Sequence, residues 1–203
     1  MKITKITHHT TDELIKHLRE VTLMKQPDQR IYKDVFISLE QMSIESITPA
    51  QRYVLADELN KVRDLKWAIE EHGYNIFKLE GYLSVWLEGE EEPIDLLPAV
   101  VEESIEADGK VISILNDGMH RTYLARLEWQ TPQVIHVRGV PKEKPYYAFP
   151  IHEGWDKVEI VNELPPGYIK KWHRIKEYKT LYRDFNSAFK NVGGPRGHFV
   201  KKK

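Results

Sequence analysis

The residues whose types are best suited to catalysis or ligand binding lie at one turn, between an apolar run and a helix-like pattern. This turn is Asp117-Gly118-Met119-His120-Arg121-Thr122. The planar guanidinium of an arginine matches phosphate oxygens, and a histidine can bind the same anion or transfer a proton near neutral pH. The start of a helix leaves backbone N–H groups unpaired and carries partial positive charge. A glycine there lets an anion approach the backbone without a Cβ in the way. The turn therefore predicts a phosphate site formed by Gly118, Met119, His120, Arg121 and Thr122.

Two carboxylates complete the functional interpretation. Asp117 lies at the turn itself, where it could hold magnesium or orient a hydroxyl group, and His120 could move the proton. Glu80 is a further candidate for the catalytic carboxylate, because its neighbours are apolar and favour packing near the core. The alternative readings stay open on these residues alone: Asp117 only caps the helix, Arg121 pairs with a carboxylate, and Glu80 is a surface acid.

Arg121 itself is expected on the protein surface. It precedes Leu124 by three residues, so it should lie off the face that Leu124 and Leu127 bury. Its truncation should then leave the fold nearly intact and remove phosphate binding.

The elements around the turn can be predicted from local pattern. Val111, Ile112, Ile114 and Leu115 indicate a buried strand before it, and helical spacing continues after it. An apolar run crossed by Pro98 indicates an earlier strand that carries the proline at its start or edge. The expected elements are a strand at 94–101, a strand at 110–116, a helix at 119–128 and a strand at 133–140.

Further helices are expected on both sides. Thr10 and Glu13 form a capping box, and Thr48-Pro49 with Gln51 resembles a second one that opens a helix ending near Gly73. The stretch 75–87 reads as a short helix, and the stretch 168–190 as a long amphipathic helix rich in lysine, arginine and aromatic residues.

Composition excludes several classes of protein. The chain has 203 residues, 41% of them hydrophobic, so it can build a core. It has no cysteine, which excludes disulfides, thiolate metal sites, iron–sulfur clusters and cysteine nucleophiles. No apolar run approaches the roughly 18 residues that span a bilayer. We therefore expect a soluble, cytoplasmic protein without membrane contact.

The net charge of -1 conceals an uneven distribution of charge along the chain. Residues 70–108 are strongly acidic, and residues 166–203 are strongly basic. One interpretation is that the two regions attract each other, either within one molecule or across a homodimer. The other is that the basic C-terminal helix contacts nucleic acid, with aromatic side chains that stack on bases.

The stretch from Ile94 to Val140 resembles the ParB/sulfiredoxin superfamily. Its members carry a strand, then a Gly-x-His-Arg or Gly-x-Arg-Arg signature at a helix start, then an alanine. Here Asp117-Gly118-Met119-His120-Arg121, followed by Ala125, fits that pattern. The resemblance implies a nucleotide site at the turn, and three chemistries are associated with it: a sulfinic-acid reductase, a nucleotide-controlled DNA clamp, and kinases acting on free serine.

Departures from the pattern separate these branches. The reductase needs a cysteine before the histidine, but Met119 stands there. The DNA-clamp branch normally adds a helix-turn-helix region and a dimerisation domain, for which about sixty residues after Val140 are too few. The kinase-like branch, with its Asp-Gly-x-His-Arg form, is closest.

The predicted architecture is a mixed α/β (α+β) fold with three regions. A helical N-terminal region covers residues 1–93, a ParB/sulfiredoxin-like core covers 94–140, and a region with the basic helix covers 141–203. The predicted function is a phosphotransferase that uses ATP or ADP with magnesium and acts on a small hydroxyl compound. The alternative is a ParB-like, DNA-associated module, switched by nucleotide or non-catalytic, or with nuclease-like activity.

Overall fold

A computed structural model describes residues 1–106, 108–168 and 178–193. Within them the chain is mixed α+β, as expected from the sequence. The helices are α1 (Thr11–Leu18), α2 (Ala56–Glu70), α3 (Met119–Leu127) and α4 (Tyr178–Leu181). The strands are β1 (Ile3–His9), β2 (Thr22–Leu23), β3 (Gln26–Arg30), β4 (Phe36–Gln41), β5 (Tyr53–Leu55), β6 (Tyr82–Leu87), β7 (Ile94–Leu96), β8 (Ala99–Ile105), β9 (Val111–Asp117), β10 (Gln133–Arg138), β11 (Glu159–Val161) and β12 (Arg183–Asp184).

The turn belongs to a four-stranded sheet with the order β4-β10-β8-β9. β8 and β9 form an antiparallel pair, and β10 then runs parallel to β8. Parallel neighbours need a crossover connection, which α3 supplies between β9 and β10. The predicted strand, turn, helix and strand are therefore confirmed, in that order.

Both faces of this sheet are covered, which explains why its strands read as continuous apolar runs. Val101 and Val134 pack into one buried cluster together with residues of α2 and α3. Their neighbours Val100 and Ile135 point the other way, into a second cluster with α1 and the C-terminal segment. The sheet thus fixes where the β9–α3 turn sits relative to α2.

Three smaller sheets complete the fold, with the orders β1-β6-β7, β11-β5 and β12-β2-β3. The Thr10–Glu13 capping box at the start of α1 is present as predicted, with both reciprocal hydrogen bonds. In the described part of the chain, no helix is long and apolar enough to cross a membrane.

Several predicted helices are wrong. Residues 1–93 contain α1 and α2 but also β1–β6, so this region is not simply helical. The expected helix start at Thr48 is extended chain, because the Thr48 N–H donates to the Ser113 carbonyl at 2.7 Å along the edge of β9. The helix α2 begins only at Ala56, where Leu55 occupies the N-cap position.

The stretch expected as a short helix at 75–87 ends instead in strand β6, between β1 and β7. Gly81 precedes it with φ +111°, and a Cβ there would overlap the His9 carbonyl oxygen, so the backbone must pass close to β1. The apolar run at 94–101 forms two strands rather than one, and β8 starts directly after Pro98.

The prediction of a long C-terminal helix is wrong for the residues of this stretch that the structure describes. Residues 169–177 lie outside the described residues. After the short α4, the chain turns extended as β12, which pairs with β2, and then forms a 3₁₀ turn at Phe185–Ser187. The physical reason is Arg183, whose fully buried guanidinium is bound by Glu102 of β8, so that helical periodicity is overridden by this contact.

Candidate functional site

The turn between β9 and α3 owes its shape to Gly118. This residue is the N-cap of α3 and adopts φ 90°, a left-handed conformation that glycine accepts without strain. A Cβ at this position would lie 3.0 Å from the Ala99 Cβ of β8, so the turn packs directly on the neighbouring strand. Among the described residues, no side chain caps the N-terminus of α3 and its first turn holds no acidic residue. Asp117 is therefore not the helix cap.

The Arg121 side chain makes two contacts at this turn. Its Nη2 lies 3.1 Å from Asp117 Oδ2, and its Nη1 donates to the Leu97 carbonyl. Only 12% of the arginine side chain is exposed. Burial lowers the pKa of Arg121, while the neighbouring Asp117 carboxylate raises it. The expectation that Arg121 lies free on the surface is wrong, and Leu127, expected in the core, is exposed.

A cavity of about 400 Å³ opens beside the turn. The end of β9 and the start of α3 line it, and so does α2 with Glu58, Lys61, Val62 and Leu65. The strand β7 and the C-terminal residues Val192 and Gly193 also line it. The cavity thus combines a mainly apolar lining with charged side chains from several elements, as ligand sites commonly do.

The structure brings most of the predicted site residues together at this cavity. Asp117, Gly118, Met119, His120 and Arg121 all line it. Thr122 does not line it: the side chain is buried behind the turn, and its hydroxyl has no hydrogen-bond partner in the described residues.

Glu80 lies elsewhere, on the surface after α2 and outside the cavity lining. Its backbone carbonyl accepts a hydrogen bond from His8 Nε2 at 2.7 Å. Its carboxylate is therefore not positioned to act on a ligand held at the turn.

Sequence reasoning missed three charged residues of the cavity, Glu58, Lys61 and Asp95. Lys61 extends from α2 and forms an ion pair of 2.6 Å with Glu58. Asp95 of β7 is 7% exposed, and it accepts hydrogen bonds from Ser84 Oγ at 2.6 Å and from the Lys190 backbone N–H at 2.8 Å. Lys61 gave no signal, because it reads as an ordinary surface lysine. Asp95 did give a signal in the sequence, since a carboxylate within an apolar strand is costly to bury without partners.

A buried polar network lies directly behind the turn. The amide of Asn116, the residue before Asp117, donates to Glu102 Oε2 at 3.2 Å and to the Tyr32 hydroxyl at 2.8 Å. Arg183 pairs with the same Glu102 at 2.6 Å, and both side chains are fully buried. Burial, and next the Glu102 charge, raise the pKa of Tyr32 well above its ordinary value. The network therefore ties the C-terminal segment to the strand that carries the turn.

The metal expectation can be tested against the residues present. The described residues hold no group of three or more carboxylates or histidines that could bind a metal ion by themselves. Magnesium that arrives with a nucleotide needs only one or two carboxylates besides the phosphates. Asp117 lines the cavity with its side chain 30% exposed, so it fits that more limited role.

The basic C-terminal region does not present a continuous basic face in its described part. Arg183 is 1% exposed and neutralised by Glu102. Lys190 pairs with Glu92 at 2.6 Å, a contact between the basic and acidic regions within one molecule. Lys170, Lys171, Arg174 and Lys176 lie outside the described residues.

A comparison with protein families decides the relationship that the turn suggested. The profile of the ParB CE domain matches residues 13–159, more than half of the chain. The chain belongs to the ParB CE domain family. The match extends well before residue 94 and includes most of α1, the strands β2–β6 and α2. Comparisons with curated proteins and with solved structures find no match.

Proposed function

We propose that this ParB CE domain protein is a nucleotide-binding phosphotransferase that acts on a small hydroxyl compound, with the nucleotide phosphates held at residues 117–121. The observation that carries the proposal is the cavity of about 400 Å³ that opens at the uncapped start of α3, where five of the predicted residues meet.

Three positively charged groups line the cavity. The start of α3 contributes its partial charge, Arg121 lies at the turn, and Lys61 of α2 is among the lining residues. Both side chains already pair with carboxylates, Arg121 with Asp117 and Lys61 with Glu58. An incoming phosphate group therefore competes with these carboxylates, and magnesium bound by Asp117 would relieve that competition by neutralising negative charge.

The proposed reaction is transfer of the terminal phosphoryl group of a nucleoside triphosphate. The hydroxyl oxygen of the acceptor forms the new bond to phosphorus, the bond to the leaving nucleoside diphosphate breaks, and the hydroxyl proton passes to His120. A histidine suits this step because it changes protonation near neutral pH. Such reactions depend mainly on positioning and charge stabilisation, which the backbone of the turn and Arg121 supply.

The test is titration calorimetry of the full chain with ATP, ADP, CTP and GTP in the presence of magnesium, and with tripolyphosphate. We expect at least one nucleotide to bind, and phosphorus NMR to detect phosphoryl transfer when small hydroxyl compounds, free serine among them, are added. Nucleotide binding without transfer to any acceptor would instead support the nucleotide-switched binding module. Absence of binding to every nucleotide and to tripolyphosphate would refute the proposal.

The DNA-associated alternative requires an exposed basic surface continuous with the turn. The described residues do not favour it, because Arg183 is buried and Lys190 is paired with Glu92. Fluorescence anisotropy with labelled duplex DNA, with and without nucleotide, tests it directly. Tight, salt-dependent DNA binding would make the alternative the better account.

A further inference from the structure

The strand β4 (Phe36–Gln41) is an open edge of the four-stranded sheet. It pairs with β10 on one side, and the order β4-β10-β8-β9 places no strand on its other side within the described residues. In an antiparallel ladder every second residue turns its N–H and C=O away from the neighbouring strand. No backbone hydrogen bond of the described residues reaches those outward groups of β4. They are therefore available to a further strand.

Other sheet edges in the described residues are covered or protected. Thr48 forms backbone hydrogen bonds along the outer side of β9, and the Lys190 carbonyl accepts one from β7. The edge strand β1 carries Lys5 and an irregular register, and the edge strand β3 contains Pro27 and Arg30. Lysine, proline and bulges are the features that keep natural edge strands from pairing with another chain. In contrast, β4 has no lysine, no proline and a regular register over all six residues.

The side chains at this edge combine an exposed ring with a charged cluster. Phe36 is 60% exposed, and the Arg138 guanidinium of β10 lies 4.5 Å from the centre of its ring. Arg138 donates to Ser38 Oγ at 2.9 Å, and it lies 3.9 Å from Glu40 Oε2. Glu40 is the only charged residue of β4, and His136 of β10 already binds it at 2.5 Å. A guanidinium has five N–H donors, so Arg138 has donors left for a second carboxylate.

We infer that β4 is a dimer interface, at which two copies of this chain pair their β4 strands antiparallel and join their sheets into one. A two-fold axis perpendicular to the sheet pairs the edge with itself and keeps each side chain on its own face. With Ser38 or Leu39 at the axis, Glu40 of one copy lies across from Phe36 or Ser38 of the other. These are the two residues that Arg138 contacts, so opposite charges meet across the axis. This complementarity favours a second copy over an unrelated strand.

The inferred interface is separate from the cavity. Residues 36–41 are not among those that line the cavity, and β9, which leads into the turn, lies at the opposite end of the strand order. The pairing therefore leaves the cavity open in both copies. For the same reason, the inference does not depend on the proposed function.

The first test measures the mass of the full chain by sedimentation equilibrium over a wide range of concentration. We expect it to rise from the mass of one chain to that of two. Phe36→Lys adds an edge lysine and should keep the mass of one chain throughout. The matched control is Val111→Lys, at a 55% exposed residue of β9 on the other edge of the sheet, and it should dimerise like the wild type. A wild-type mass of one chain throughout would overturn the inference and leave the edge to a strand of another protein.

The second test locates the interface by hydrogen exchange and mass spectrometry. Exchange of the amides of residues 36–41 should slow as the wild-type concentration rises, because outward N–H groups become hydrogen-bonded, while exchange in β1 stays constant. A dimer with unchanged exchange in β4 would place the interface elsewhere and overturn the inference. Wild-type dimerisation of a folded Phe36→Lys would overturn it as well. Should that variant not fold, the exchange of the wild-type chain still decides.

Discussion

Replacing Arg121 by alanine removes two contacts of a side chain that is only 12% exposed. The Asp117 carboxylate loses its partner at 3.1 Å, and the Leu97 carbonyl loses a donor. Leaving partly buried acceptors without a partner destabilises a protein by about 1–3 kcal/mol. The loss of stability should therefore exceed the roughly 0.5 kcal/mol of an ordinary surface substitution.

The effect on phosphate binding has a separate origin. Arg121 places a positive charge at the cavity, and a charge-assisted hydrogen bond to phosphate contributes roughly 1.5–3 kcal/mol. That range corresponds to about a tenfold to hundredfold loss of affinity. Arg121→Lys should recover part of the binding, because it retains the charge, and less of the stability, because lysine lacks the fork that reaches two acceptors at once.

Urea unfolding gives the first quantity and titration calorimetry with tripolyphosphate gives the second. The matched control is Arg63→Ala, since Arg63 lies on α2 and contacts only Asn60 of its own helix by a described hydrogen bond at 2.9 Å. Both quantities should be close to wild type in this control. An unchanged free energy of unfolding in Arg121→Ala would show that its contacts with Asp117 and Leu97 do not stabilise the fold. An unchanged affinity for tripolyphosphate in a folded Arg121→Ala would show that this residue is not part of the site.

Three further substitutions test other parts of the structure. Gly118→Ala should lower the free energy of unfolding by about 1–2 kcal/mol because of the left-handed backbone, and by more because of the contact with Ala99. Gly89→Ala, where φ is +86° but no atom lies within 4 Å, should show only the backbone effect in the same urea titration. Arg183→Met should lower the free energy of unfolding by about 3–5 kcal/mol, because it leaves Glu102 charged and buried. Lys190→Met, at an exposed ion pair, should change it by less than about 1 kcal/mol, and similar losses in the two variants would contradict the burial of the Arg183–Glu102 pair. The hydrogen bond from the Thr10 backbone N–H lowers the pKa of Glu13, so the stability that this bond contributes is present at neutral pH and is lost as the pH falls through the lowered pKa. Glu13→Gln should remove that part of the acid dependence, and an unchanged profile of the free energy of unfolding against pH would contradict this prediction.

The parts of the fold that the sequence predicted well are those set by neighbouring residues. The Thr10–Glu13 capping box and the β9–turn–α3 unit depend on contacts a few residues apart, and both were predicted with nearly correct bounds. The predicted phosphate site followed from the same local unit, and residues 117–121 do share one cavity.

The errors share a physical cause, which is that partners distant in sequence decide the local conformation. Thr48 carries a helix-start signal, yet the edge of β9 binds it as extended chain. Arg183 was expected among the basic residues of a long amphipathic helix, yet it is bound by Glu102, which lies 81 positions away in the chain. Asp95 gave a signal as a carboxylate within an apolar strand and Lys61 gave none, but neither could be placed beside the turn from sequence, since only the packing of α2 and β7 brings them there.

The position of the turn itself depends on the same distant contacts. The backbone at Gly118 rests against Ala99 of β8, and Arg121 of α3 binds the carbonyl of Leu97 just before that strand. Behind the turn, the Asn116 carbonyl accepts from the Tyr146 hydroxyl at 2.8 Å, while its side chain joins the Glu102 network. A substitution of Arg183 in the C-terminal segment can therefore shift the β9–α3 turn without changing a residue that lines the cavity. For this reason, loss of ligand binding in such a variant identifies a site residue only when the free energy of unfolding is unchanged.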